Sequence, residues 1–141
     1  MKRALGIDHG EARIGLAISD ELGMLAHPLE TIRVKDVRDS IGRIAQIVER
    51  DGVDTIVLGM PRNMDGTYGP AAVKVNAYAD KLRKRIPGCT VKLWDERMTS
   101  VAAQRLLHEN GRNVKQSRQV IDQVAAHLIL QGWLDSQALL G

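Results

Sequence analysis

Phenylalanine is missing from this chain, and two Trp and two Tyr are the only aromatic residues among its 141 positions. The core must therefore be built from Val, Ile, Leu, Ala and Met. The scarcity also argues against a track of rings on which single-stranded bases could stack. Cysteine is nearly missing too. With Cys89 alone, no internal disulfide forms and no cysteine cluster holds zinc. Set in Cys-Thr-Val-Lys-Leu-Trp, its thiol reads as a small buried hydrophobe. No run approaches the roughly 18 apolar residues of a membrane span, and the basic N-terminus is followed by no long apolar stretch or cleavage site. The expectation is a soluble, cytoplasmic protein with no membrane partner. Low-complexity runs and internal repeats are lacking, so residues 1–141 are expected to form one domain.

The chain does carry a mild positive charge, +3, which permits nucleic acid binding without requiring it. Its distribution says more. Lys81, Arg83, Lys84 and Arg85 form one basic cluster, read as the solvated end of a helix where cations suit the dipole. Arg112, Lys115 and Arg118 form a second, placed in a loop with Gly111 and Asn113.

Periodicity organises the rest. Residues 2–8 and 13–19 read as strands joined by the hairpin-length turn His9-Gly10-Glu11-Ala12. Residues 24–34, interrupted by Pro28, read as a third strand at an edge, where proline is tolerated. From Val37 the apolar residues Ile41, Ile44, Ile47 and Val48 take helical spacing, with Asp36 as the expected N-cap and Gly52 as the stop. A strand over 53–59, a Pro- and Gly-rich loop from Pro61 to Pro70, a helix over 71–86 and a strand over 89–94 follow. Helices over 100–109 and about 118–134 close the chain. The order β-β-β-α-β-α-β-α-α predicts an α/β fold. Its five-stranded mixed sheet has strands 1–3 antiparallel and strands 4 and 5 parallel through right-handed crossovers, with helices on both faces.

Three carboxylate positions stand out. Asp8 ends the first strand between Gly6 and Gly10, where small residues admit a bulky ligand or backbone; a turn-forming aspartate before glycine is the simpler alternative. Asp95 and Glu96 end the fifth strand. Neighbouring strand residues point to opposite faces, so one of the two at most projects into a given site. Asp122 lies in the first turns of the last helix, four residues before Ala126 and on the same side; an aspartate answering the helix dipole is the alternative. Jointly, separated carboxylates at strand ends and on a helix suit Mg²⁺ or Mn²⁺. Two such ions roughly 4 Å apart activate water and steady the leaving oxygen of a phosphodiester. The basic cluster at Arg112, Lys115 and Arg118 leads into the helix of Asp122 and offers phosphate contacts. His9, His27, His108 and His127 show no metal-ligand spacing, and neither a nucleophile elbow nor a P-loop is present.

Four segments together resemble the YqgF (RuvX-like) family: Gly6-Ile-Asp8-His-Gly10-Glu-Ala-Arg13-Ile-Gly15; Val57-Leu-Gly-Met-Pro61 with Asp65-Gly66; Asp95-Glu96-Arg97 with Thr99; and Asp122 with Ala125-Ala126. The resemblance implies an RNase H-like fold and a nuclease trimming the 5′ end of the small-subunit ribosomal RNA precursor. It also implies, through similarity to RuvC, a Holliday junction resolvase acting on branched DNA. It further implies a metal site of Asp8, Glu96 and Asp122, with Asp95 as substitute for Glu96. Arg13 and Arg97 join the second basic cluster as candidate substrate contacts. RuvC-type members carry an acid at the fourth strand, whereas here that strand ends Val57-Leu-Gly-Met-Pro-Arg62 with no acid until Asp65 in the loop, so the strand 5 pair would replace it. A junction resolvase would work as a two-fold homodimer. Two other classes stay open: a non-catalytic RNA-binding module of ribosome assembly, and an actin-like kinase, for which one domain of this length is too small and Arg13 ill suited.

Overall fold

In a computed structural model, which describes residues 2–63, 65–96 and 114–140 (backbone only for 114–123 and 140), three antiparallel strands open the chain. They are β1 (Arg3–His9), β2 (Arg13–Ser19) and β3 (Ala26–Arg33). Helix α1 (Ser40–Asp51), strand β4 (Val53–Met60), helix α2 (Pro70–Arg85), strand β5 (Thr90–Asp95) and a long helix α3 (Val114–Leu140) follow. The sheet order is β3-β2-β1-β4-β5, with β1 and β4 parallel, and β4 and β5 parallel. The expected mixed sheet is thus present, with β3 at an edge. Pro28 sits there beside a bulge in the pairing between Leu16 and Ala17, so its missing N–H interrupts little. Among the described residues no helix is long and apolar enough to cross a membrane.

Strand alternation sorts two unequal cores. On one face Leu5, Ile7, Ile14, Leu16, Ile56 and Leu58 meet α1 and α2 through Ile44, Ile47 and Leu82, a layer of large aliphatics. On the other, Ala4, Ala17 and Val57 meet Ala125, Ala126, Ile129 and Leu130 of α3. The second layer is thin because the sheet contributes small side chains there. At Gly6 an added Cβ would stand 2.7 Å from Leu130 Cβ and 2.9 Å from the Ala126 carbonyl oxygen, so α3 lies almost directly on β1.

Local details differ from the sequence reading in four places. The N-cap of α1 is Asp39, whose Oδ1 accepts from Gly42 N at 3.0 Å, not Asp36; residues 34–36 turn off β3 through Asp36 N–H to the Arg33 carbonyl. Gly52 does stop the helix, in the left-handed conformation at φ 69°. β3 begins at Ala26 rather than 24, since Asp20 Oδ1 accepts from Met24 N and folds that residue into the turn. α3 runs over 114–140 rather than 118–134, so Lys115 and Arg118 stand on a helix and not in a loop. Cys89 precedes β5, half-buried, and its Sγ donates to the Val53 carbonyl at 3.3 Å; burial pushes the thiol pKa up, as an inert thiol requires. The expected helix over 100–109 lies outside the described residues.

One electrostatic clasp joins the β3 edge to α1. Arg43 donates to Glu30 from Nε at 3.0 Å and from Nη2 at 2.7 Å, a two-pronged pair on half-buried side chains. These bonds, then the guanidinium charge, hold the Glu30 carboxyl below its usual range. A carboxylate with a lowered folded pKa adds stability above its unfolded pKa, about 4.3, and loses it as pH falls through the folded value. Glu30→Gln is expected to lower unfolding free energy by about 1 kcal/mol at neutral pH. In urea titrations run at falling pH, its deficit relative to wild type should close below about pH 4. A deficit that persisted in acid would show that packing, not charge, is what the pair supplies.

Candidate active site

Asp8 lies on the thin α3 side of the sheet, in step with Ala4 and Gly6, and is 6% exposed. Its partner across the β1–β2 ladder is Gly15, which in turn faces Thr31 of β3. On the other side Ile7 pairs with Leu58, so the next step sets Asp8 beside Gly59 of β4, and Gly59 pairs with Trp94 of β5. A line of residues therefore crosses all five strands, with the carboxylate of Asp8 between two glycines. No side chain of either neighbour fills the space beside it.

Glu96 enters this space from the far edge. It follows β5 directly, and its Oε1 stands 2.9 Å from where a Cβ on Gly59 would be, with Ile129 Cδ1 of α3 at 2.5 Å from the same point. Glu96 thus lies over Gly59, on the same face as Asp8. Asp95, one residue earlier, pairs with Met60 and turns to the α2 face, where Arg62 Nη1 donates to its Oδ2 at 3.2 Å. The two acids that the sequence left as alternatives are separated by strand alternation.

Position 122 lies on α3 one turn before Ala126, the residue whose carbonyl meets Gly6. Because α3 begins at Val114, Asp122 is in its third turn rather than its first. The helix dipole, which acts over the first turn, therefore does not account for an acid there. The side chains of Asp122, Lys115 and Arg118, and the residues Arg97 and Arg112 altogether, lie outside the described residues. Arg13 opens β2 on the same face as Gly15. Among the described residues no three His, Cys, Asp or Glu side chains form a metal-binding group. Asp8 and Glu96 are nevertheless hard oxygen donors on one face of the sheet, a donor type that fits a divalent ion of the Mg²⁺ class.

His9 takes no part on this face. It points to the opposite one, its ring 4.4 Å from that of Tyr78, and burial, aided by Lys74 and Lys81, pushes its pKa below the ordinary histidine value. The cluster at the end of α2 is largely engaged with the protein itself: Arg83 donates to Asp80 and the Val91 carbonyl, and Arg85 to Asp39. Two residues carry more than the sequence shows. Gly59, part of the Val57–Pro61 segment, gains its place only when β4 is set beside β1, and Arg62 reads as loop charge until its bond to Asp95 is seen.

A profile of the RuvX family, described as Holliday junction resolvase, matches residues 2–136. The chain belongs to the RuvX family. It is similar to a protein of Acetivibrio thermocellus named "Putative pre-16S rRNA nuclease", 48% identical over 136 residues that cover 96% of each chain. A protein of Halalkalibacterium halodurans with the same name is 44% identical over 97% of this chain and 99% of its own. Among solved structures, Thermus thermophilus RuvC in complex with Holliday junction substrate superposes with a TM-score of 0.61 at 15% identity, covering 98% and 96% of the two chains. The yeast mitochondrial Holliday junction resolvase gives 0.59 at 12% identity, over 99% and 80%. The RuvX chain thus has the RNase H-like fold of these resolvases.

Proposed function

We propose that this protein is a divalent-metal-dependent nuclease that hydrolyses phosphodiester bonds of structured nucleic acid, and that its substrate is the 5′ flank of the pre-16S rRNA in the cytoplasm. The observation that carries the reading is the position of Glu96 over Gly59, the residue beside Asp8 on β4, which puts an acid from β1 and one from the end of β5 on one face of the sheet. The family and the names of its relatives support the same activity. Asp8 and Glu96, with Asp122 from α3, would hold Mg²⁺ or Mn²⁺. Such ions, when bound, supply a nucleophile at neutral pH and offset charge on the leaving oxygen. The chain's own part is to fix the acids on rigid elements and to hold the substrate's phosphates through Arg13, Arg97, Arg112, Lys115 and Arg118. Asp95, bound to Arg62 on the other face, is not a ligand in this reading.

The family description favours a second substrate, branched DNA, for which two copies of the chain would cut symmetric strands. One assay decides between them. Protein is offered a precursor RNA carrying its 5′ extension and a four-way DNA junction, each with Mg²⁺, Mn²⁺ or chelator. Ion-dependent shortening of the RNA is expected; junction cleavage alone would move the assignment to DNA. Binding without cleavage under either ion would leave a non-catalytic assembly module. The two adjacent acids give a finer check. Glu96→Gln should raise the Mn²⁺ concentration needed for half-maximal cleavage and lower kcat by at least about a hundredfold. Asp95→Asn should keep the wild-type Mn²⁺ requirement. Reversal of that order would reassign the ligand.

A further inference from the structure

At the same end of the sheet, but on the α2 face, a cleft of about 320 Å³ is lined by Met60, Arg62, Tyr68, Asn76, Leu93 and Asp95. Asp95 lines it while its neighbour Glu96 serves the other face, so a strand crossing the carboxyl edge of the sheet from Glu96 passes directly by it. Tyr68 is 59% exposed, yet its ring is held in place. The Arg62 guanidinium carbon stands 4.7 Å from the ring centroid. Arg62 is itself fixed by bonds from Nε at 3.0 Å and Nη2 at 2.5 Å to the Gly66 carbonyl, and from Nη1 at 3.2 Å to Asp95 Oδ2. The loop is tied further: Gly66 N donates to the Asn63 carbonyl, and Asp65 Oδ1 accepts from Thr67 N and Oγ1. With Arg62 over one face of the ring, a flat ligand would use the other face of a ring already held in place, which lowers the ordering cost of binding.

The chemistry of the lining selects the ligand. Among the described lining residues the one cation, Arg62, already faces the Asp95 carboxylate, which disfavours a phosphate there. It offers a flat ring, apolar contact from Met60 and Leu93, an acceptor in Asp95 and an amide in Asn76. A planar, neutral ring with N–H groups on its edge matches all four. We infer that this cleft takes one unpaired nucleobase of the substrate, close to the reacting phosphodiester, stacked on Tyr68 and read at its edge by Asp95 and Asn76. This rests on the nuclease reading above. Scarce aromatics argue against a stacking track, but one base needs one ring.

The test reads binding rather than cleavage. Full-length protein carrying Asp8→Asn is titrated against labelled precursor RNA, and against copies in which single nucleotides flanking the cleavage site are made abasic one at a time. One abasic position is expected to weaken binding by about 5- to 150-fold, the range for loss of one stacked base. Tyr68→Ala should weaken intact RNA by a similar factor and cause no added loss with that abasic RNA, while Tyr68→Phe should bind as the parent does. Thermal unfolding checks that Tyr68→Ala remains folded. Unchanged affinity in Tyr68→Ala, or equal further loss at every abasic position, overturns the base site and leaves the nuclease reading standing. If the Asp8→Asn protein binds neither this RNA nor a four-way junction, the nuclease reading fails, and the base site with it.

Discussion

Asp8→Asn is expected to abolish cleavage, a loss of at least about a thousandfold, and to leave the fold in place. The size follows from the role: a ligand that helps place ions worth several kcal/mol of transition-state stabilisation cannot be replaced by a neutral amide. The tolerance of the fold follows from the geometry. Asn has the shape of Asp, and its cross-strand neighbour Gly15 presents no side chain that the exchange would crowd. Three measurements check the claim together. Single-turnover cleavage should vanish. The circular dichroism spectrum and unfolding midpoint without divalent ions should match wild type within a few degrees. Added Mn²⁺ should raise the wild-type midpoint, because a ligand that binds only the native state stabilises it, and should not raise that of the variant. Retained cleavage, or loss of cleavage through unfolding, would remove Asp8 from the site.

Gly6→Ala is expected to damage stability and activity at once. Its new Cβ would stand 2.7 Å from Leu130 Cβ and 2.9 Å from the Ala126 carbonyl oxygen, neither of which can swing aside. Helix α3 must retreat from the sheet by about 1 Å to restore normal contact distances. Such overpacking costs about 1–3 kcal/mol, which for a domain of this size lowers the unfolding midpoint by roughly 4–12 °C. Position 122 is one turn from Ala126 on the same helix, so the retreat carries Asp122 away from Asp8. A displacement of about 1 Å at a catalytic group costs on the order of a hundredfold in rate. Assayed well below its midpoint, Gly6→Ala should still be slow. Full activity in the folded variant would mean that Asp122 does not belong with Asp8.

Much of this architecture is legible in residue order, and the parts that are not share a cause. Three short-linked strands, then strands alternating with helices, are enough to give the mixed sheet, because hairpin links and crossovers permit few other arrangements. The end of α1 is legible because Gly52 is the residue a left-handed cap favours. Its start is not: Asp36 and Asp39 both precede apolar helical spacing, and the choice is made by which side chain reaches a free N–H, here Gly42. The partners of a strand-end acid are readable as chemistry but not as geometry. That Glu96 and not Asp95 shares the face of Asp8 depends on the β4–β5 register, in which Gly59 pairs with Trp94 and Met60 with Asp95. Only that pairing gives Gly59 its place beside Asp8.

The outer edge of β3 has a consequence for assembly. A free sheet edge is a template on which further strands can grow. Here Pro28 has no N–H to offer, and the Ala26 N–H is taken by Gln131 Oε1 at 2.8 Å, while Gln131 Nε2 donates to the Met24 carbonyl at 2.9 Å. The side-chain amide of Gln131 mimics a passing peptide unit and occupies the groups a foreign strand would seek. Gln131→Leu would unmask them, and the protein's tendency to form edge-to-edge aggregates on storage would rise without any change in its core.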